Sequence, residues 1–166
     1  MIVSMENNAN SRNINVIWDE KETANNYIVI LVKCVAYGNS ETMEEALEMM
    51  KCLMRFTKRE IIDKEILKII GPIIRAVNYP LMMKQKILLM DFLSSVYQKR
   101  FNIEVYSNQI LSICFRLLQE FKSKDEIMQC VSNEFQNLLL HSTNKNELML
   151  TIISKIKVYG NVLVEA

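Results

Sequence analysis

One histidine, four cysteines and the acidic pairs Glu44-Glu45 and Asp125-Glu126 are side chains here with chemistry to offer. General base catalysis by His141 would need a partner that orients the imidazole. At the end of an apolar-patterned segment, a histidine reads more simply as a favourable charge near a helix C-terminus. Glu44-Glu45 and Asp125-Glu126 fall near expected helix N-termini, where the dipole stabilises negative charge without any catalytic task. Cys34, Cys52, Cys114 and Cys130 form no C-x-x-C pair and lie inside apolar helical patterns. Buried free thiols are expected, and neither a zinc site nor a disulfide framework. No glycine-rich loop precedes a helix, and no H-E-x-x-H or G-x-S-x-G occurs. The chain is expected to be non-enzymatic, with no catalytic residue, metal or cofactor.

The elements that would position any site follow from composition and period. At 166 residues, half of them hydrophobic, the chain is sized for one domain with a real core. Three glycines and two prolines are too few for a turn-rich sheet fold. Twenty Lys and Arg against 19 Asp and Glu leave no net field to attract nucleic acid or an anionic membrane. No apolar run approaches the roughly 18 to 20 residues of a membrane span, and the N-terminus lacks a basic-then-apolar leader. A soluble intracellular protein, cytoplasmic or nuclear, is expected. Residues 1–16 are polar and asparagine-rich and read as a disordered arm, leaving 17–166 as a single helical domain.

From Trp18 onward, apolar residues recur at helical spacing. The pattern breaks at Gly38 to Ser40, Asn78 to Pro80, Asn102 to Ser107, Lys122 to Asp125 and Ser142 to Asn146, which cuts the chain into about seven helices. Gly38 suits a left-handed helix end, and Ser40 and Asp63 suit N-caps. "SKDE" at Ser123 and "NKNE" at Asn144 have capping-box spacing, and Pro80 suits the first turn of the helix that follows. Eleven methionines, including the doublets Met49-Met50 and Met82-Met83, suit irregular cores better than a partner groove.

Three segments superpose in register: Glu65 to Val77, Gln109 to Phe121 and Glu147 to Tyr159. They align Ile66/Ile110/Leu148, Ile70/Cys114/Ile152 and Ile74/Leu118/Ile156, at offsets of 44 and 38 residues. "NYIVILVKCVAYG", ending near Val35, fits 42 residues upstream of the copy containing Val77. Each of the first three copies is followed by a second helix, whereas the last has no downstream mate. A period of about 40 residues with two helices per unit marks a stacked helical solenoid.

"EILKIIGPIIRAVNYPLMMKQKILLMDFLSSVYQ" resembles a HEAT repeat: Pro72 stands at the family's first-helix proline, and Met83-Lys84 stand where a hydrophobic-basic pair opens the second helix. The resemblance is good over 64–99, moderate over 108–141 and weak over 22–57. It extends to the related armadillo type and implies an all-α right-handed α-solenoid of helix pairs, whose second helices line a concave surface. Three polar stripes lie on those helices: Glu44, Glu48, Lys51 and Arg55; Lys84, Asp91, Ser95 and Gln98; Asp125, Gln129, Ser132 and Gln136. In such a solenoid they would lie side by side as one groove for a protein or peptide. The implied function is an adaptor or scaffold, with the apolar last helix expected to pack on a partner subunit or on a continuation of the chain. Two alternatives stand beside it. One is a helical repeat binding nucleic acid. The other is a tubulin-binding version of the HEAT fold, to which Trp18 and Lys21 in "IWDEKE" are similar. A packing role under the first helix accounts for Trp18 as well.

Overall fold

The computed structural model describes residues 26, 29–31, 33–35, 37–56, 59–122 and 124–165, with side chains through residue 160. The protein is all-helical, without a strand among the described residues. The complete helices are α1 (Ser40–Phe56), α2 (Arg59–Val77), α3 (Met83–Gln98), α4 (Ser107–Glu120), α5 (Asp125–His141) and α6 (Lys145–Glu165), with a 3-10 turn (Glu104–Tyr106) before α4. The described residues 29–31, 33–35 and 37 are helical too. The expected N-terminal arm and Trp18 lie outside the described residues.

The five polar clusters each fall between helices, while the boundary between Phe56 and Arg59 had no such cluster, and the punctuation differs. Asn39, not Ser40, caps α1: its side-chain oxygen accepts the Thr42 N–H at 2.9 Å. Gly38 does not take a positive φ. Its lack of a side chain matters for space, because a Cβ there would strike the Cys34 carbonyl oxygen and press on Thr42. Asp63 is no cap either; α2 begins at Arg59, whose Nε donates to the Asp63 carboxylate at 3.1 Å one turn on. Pro80 precedes α3 by three residues instead of occupying its first turn. There, Gln85 Oε1 reaches back to the Met82 N–H at 3.0 Å, one half of a capping box. "NKNE" makes the other half: Glu147 N–H donates to Asn144 Oδ1 at 3.3 Å, while Glu147 Oε2 accepts from the Asn144 side-chain Nδ2 at 2.6 Å and the Asn144 N–H donates to Ser142 Oγ at 3.1 Å. In "SKDE", Ser123 is outside the described residues; the residue before α5 is Lys124, with no side-chain cap bond.

Two helix ends carry a cation where glycine is usual. Arg100 (φ 60°) follows α3, and Lys122 (φ 47°) follows α4. After α3 the motif is complete: Arg100 N–H donates to the Tyr97 carbonyl and Phe101 N–H to the Val96 carbonyl, while Phe101 and Val96 are both buried. This is a Schellman end, and positive charge at that position also opposes the dipole of the helix it closes.

The chain divides into two compact units, Met1–Ser95 and Val96–Ala166. In the first, the buried residues of α1 and α2 follow helical spacing: Met43, Ala46, Leu47, Met50 and Leu53, then Ile62, Ile66, Ile69, Ile70 and Ile73. Pro72 lies inside α2. It removes a donor for the Lys68 carbonyl, and Lys68 is exposed, so water can satisfy that oxygen. Met49 and Met50 are both buried, whereas Met82 is exposed.

In the second unit, α4 packs on α5, α6 and the 3-10 turn. Phe115 of α4 meets Phe135 of α5 with ring centroids 5.5 Å apart, and Lys155 Nζ sits 5.8 Å from the Phe115 ring centre. Tyr159 of α6 donates its hydroxyl to the Leu118 carbonyl at 2.7 Å. The repeat register holds for Ile110, Cys114 and Leu118 and for Leu148 and Ile152, all buried. It fails at Ile156, which is 47% exposed. Along α6, Met149, Leu150, Ile153, Ile156 and Val158 are all exposed. Cys52, Cys114 and Cys130 are buried free thiols and Cys34 is half-buried.

Candidate functional site

All twelve stripe residues reach solvent. Glu44, Glu48 and Arg55 on α1, Lys84, Asp91 and Gln98 on α3, and Asp125, Gln129, Ser132 and Gln136 on α5 are exposed; Lys51 and Ser95 are half-buried. Within the first unit, Lys51 of the α1 stripe is near enough to Asp91 of the α3 stripe for its charge to act there. Burial raises the Asp91 carboxyl above its ordinary range although the residue as a whole reaches solvent, and the nearby Lys51 ammonium opposes that rise. Lys51 also pairs with Glu48 at 2.7 Å. Lys51 thus pairs with Glu48 on its own helix and acts through its charge on Asp91 of α3. Other stripe residues bond locally: Ser95 donates to the Phe92 carbonyl at 2.6 Å, and Gln129 to Asn133 at 3.1 Å. The α5 stripe and Gln98 belong to the second unit.

That second unit contains what no stripe anticipated, a cavity of about 220 Å³. The C-terminal end of α3 contributes Tyr97, the chain that follows it Arg100 to Glu104, the start of α4 Ser107, and the end of α5 Leu138 and His141. Tyr97 and His141 stack with centroids 5.4 Å apart and planes inclined by 24°. Tyr97 is 2% exposed, and its hydroxyl makes no hydrogen bond of good geometry. Burial pushes the phenol well above its ordinary value and the Glu134 carboxylate adds to that, while Ser107 beside it pulls the other way.

Glu104 fastens this region. Its Oε1 accepts both the Thr143 N–H and the Thr143 hydroxyl at 2.8 Å, and those two bonds hold its carboxyl below the usual carboxylate range. A depressed folded-state value means the stabilisation is present above the unfolded value near 4.5 and is lost as pH falls through the folded value. Thr143→Val is therefore expected to lower stability most at neutral pH, with the difference from the parent shrinking on acidification. Denaturant titrations at several pH values check this; a pH-independent difference would assign the loss to packing.

Deeper in the unit, Glu134 is fully buried on the inner face of α5, in line with Ile127, Cys130 and Leu138. Its charge and burial both push the Cys114 thiol well above its ordinary range, burial dominating, so Cys114 is a poor nucleophile. No group of three or more His, Cys, Asp or Glu side chains among the described residues is arranged to hold a metal ion. No helix among them is long and apolar enough to cross a membrane.

Comparison with protein-family models, with curated proteins and with solved structures finds no match to this chain.

Proposed function

We propose that this protein is a non-enzymatic adaptor, a HEAT-like α-solenoid that holds a partner protein or peptide along the polar faces of α1, α3 and α5. The observation that carries the reading is the exposed polar face on α1 and on α3, with the Lys51 ammonium near enough to Asp91 for its charge to act there. On α1 its charges are segregated, with Glu44 and Glu48 toward the start of the helix and Lys51 and Arg55 toward its end. A partner segment with basic residues followed by acidic ones complements that order, and such matching favours specificity and encounter rate more than raw affinity. The all-helical fold and the repeat register at Ile66, Ile70, Ile110, Cys114, Leu148 and Ile152 support the solenoid.

Simultaneous reversal of Glu48 and Lys84 to Lys and Glu tests it. Both side chains are exposed, and the pair lost with Glu48 is a surface one, so unfolding free energy is expected to stay within about 0.5 kcal/mol of the parent. Affinity capture from cell extract, quantified by mass spectrometry, should show a protein retained by the parent and depleted with the double variant. Identical capture profiles would reject the polar face as the binding surface.

A further inference from the structure

Leu148 and Ile152 carry the buried side of α6, and a second apolar side of the same helix is bare. Met149, Leu150, Ile153 and Ile156 recur there at spacings of three and four, each at least 42% exposed. The bare side runs on to Gly160, where an added Cβ would meet nothing within 4 Å. A glycine inside a helix is unfavourable, and no contact among the described residues requires one, so its use is to let another backbone come close. The charges beside this face are ordered as well. Glu147 lies in the first turn, and the exposed Lys157 lies in the second half of the helix. Two copies of α6 laid parallel would set like charges together, whereas two laid antiparallel set the acidic start of each beside the basic half of the other. The face is thus complementary to its own reversed copy, the property that a two-fold contact needs.

We propose that α6 packs antiparallel on α6 of a second copy of this chain, about a two-fold axis at Ile153. Leu150 of each copy then lies level with Ile156 of the other, Gly160 with Asn146, and Glu147 within a turn of Lys157. One helix face against its like buries less than the roughly 1,200–2,000 Å² of a standard stable interface, so the pair forms in concentrated protein and Ile156 stays exposed in dilute protein. The contact does not use the polar faces of α1, α3 and α5, and its failure would leave the adaptor reading intact.

Sedimentation equilibrium of the full chain tests this, with the average mass expected to rise toward that of a dimer between about 5 and about 500 µM. Ile153→Glu places a charge at the axis on a side chain that is already exposed, so circular dichroism should match the parent while association weakens at least tenfold. Glu147→Lys alone and Lys157→Glu alone should each weaken association about threefold or more, because each sets like charges together twice. Mixing those two variants should restore it, since the mixed pair carries opposite charges at both contacts. Loss of the Glu147 bond to Asn144 would weaken one variant by itself, but it could not be repaired by adding the other. A mass independent of concentration, unchanged association in Ile153→Glu, or no recovery in the mixture would each overturn the proposal.

Discussion

Ile70→Ala is expected to lower the free energy of unfolding by about 3 kcal/mol. Ile70 is 0% exposed and lies between Ile66 and Ile74 on the buried side of that helix. Removing its outer carbons forfeits their transfer energy and leaves a void that close-packed neighbours fill only in part. Ile156→Ala is the matched control. It occupies the same repeat register as buried Ile74 and Leu118, yet it is 47% exposed, and its loss should stay within about 0.5 kcal/mol. Urea unfolding of both variants checks the pair. Comparable losses would mean the C-terminal half of α6 is covered in solution, which would revise the account of its exposed apolar face.

Glu134→Ala is expected to cost a similar amount, about 3 kcal/mol, for a different reason. A carboxyl at 0% exposure is held by interactions made inside the protein, and truncation removes them together with the volume of the side chain. Glu134→Gln keeps the shape and removes the charge, so it should cost less. Both variants take away one of the causes that raise the Tyr97 phenol, which should then ionise at lower pH, read by its ultraviolet absorbance. An unchanged tyrosine titration in Glu134→Gln would mean Glu134 carries no charge in the native protein.

The helices were legible because apolar period and polar breaks are local properties. Ile66, Ile70, Ile110, Cys114, Leu148 and Ile152 all sit in the core where their spacing puts them. Caps were less legible, since neighbours compete: Asn39 took the place expected of Ser40, and α2 started early enough to make Asp63 an interior partner of Arg59. Glu134 had a readable signal that polar stripes obscured. It occupies an apolar-face position, four residues from Cys130 and from Leu138, and a glutamate in that line marks an inward charge. The cavity had none, because Tyr97, Arg100 and Glu104 meet His141 and Thr143 only after the chain has doubled back. The stripes themselves were found by spacing, but the encounter of Lys51 with Asp91 depends on how two helices lie together.

Three links in the second unit share a sequence distance. Glu104 to Thr143 spans 39 residues, Leu118 to Tyr159 spans 41, and Tyr97 to His141 spans 44 (141 − 97). These are also the offsets at which the sequence repeats itself, 38 to 44 residues. Such contacts close loops of about 40 residues, and the entropy of closing a loop of that size rises only slowly with further length. Each of these closures is non-local, so its entropy cost must be met before the contact stabilises the fold, and it raises the contact order of this half above that of its helices alone.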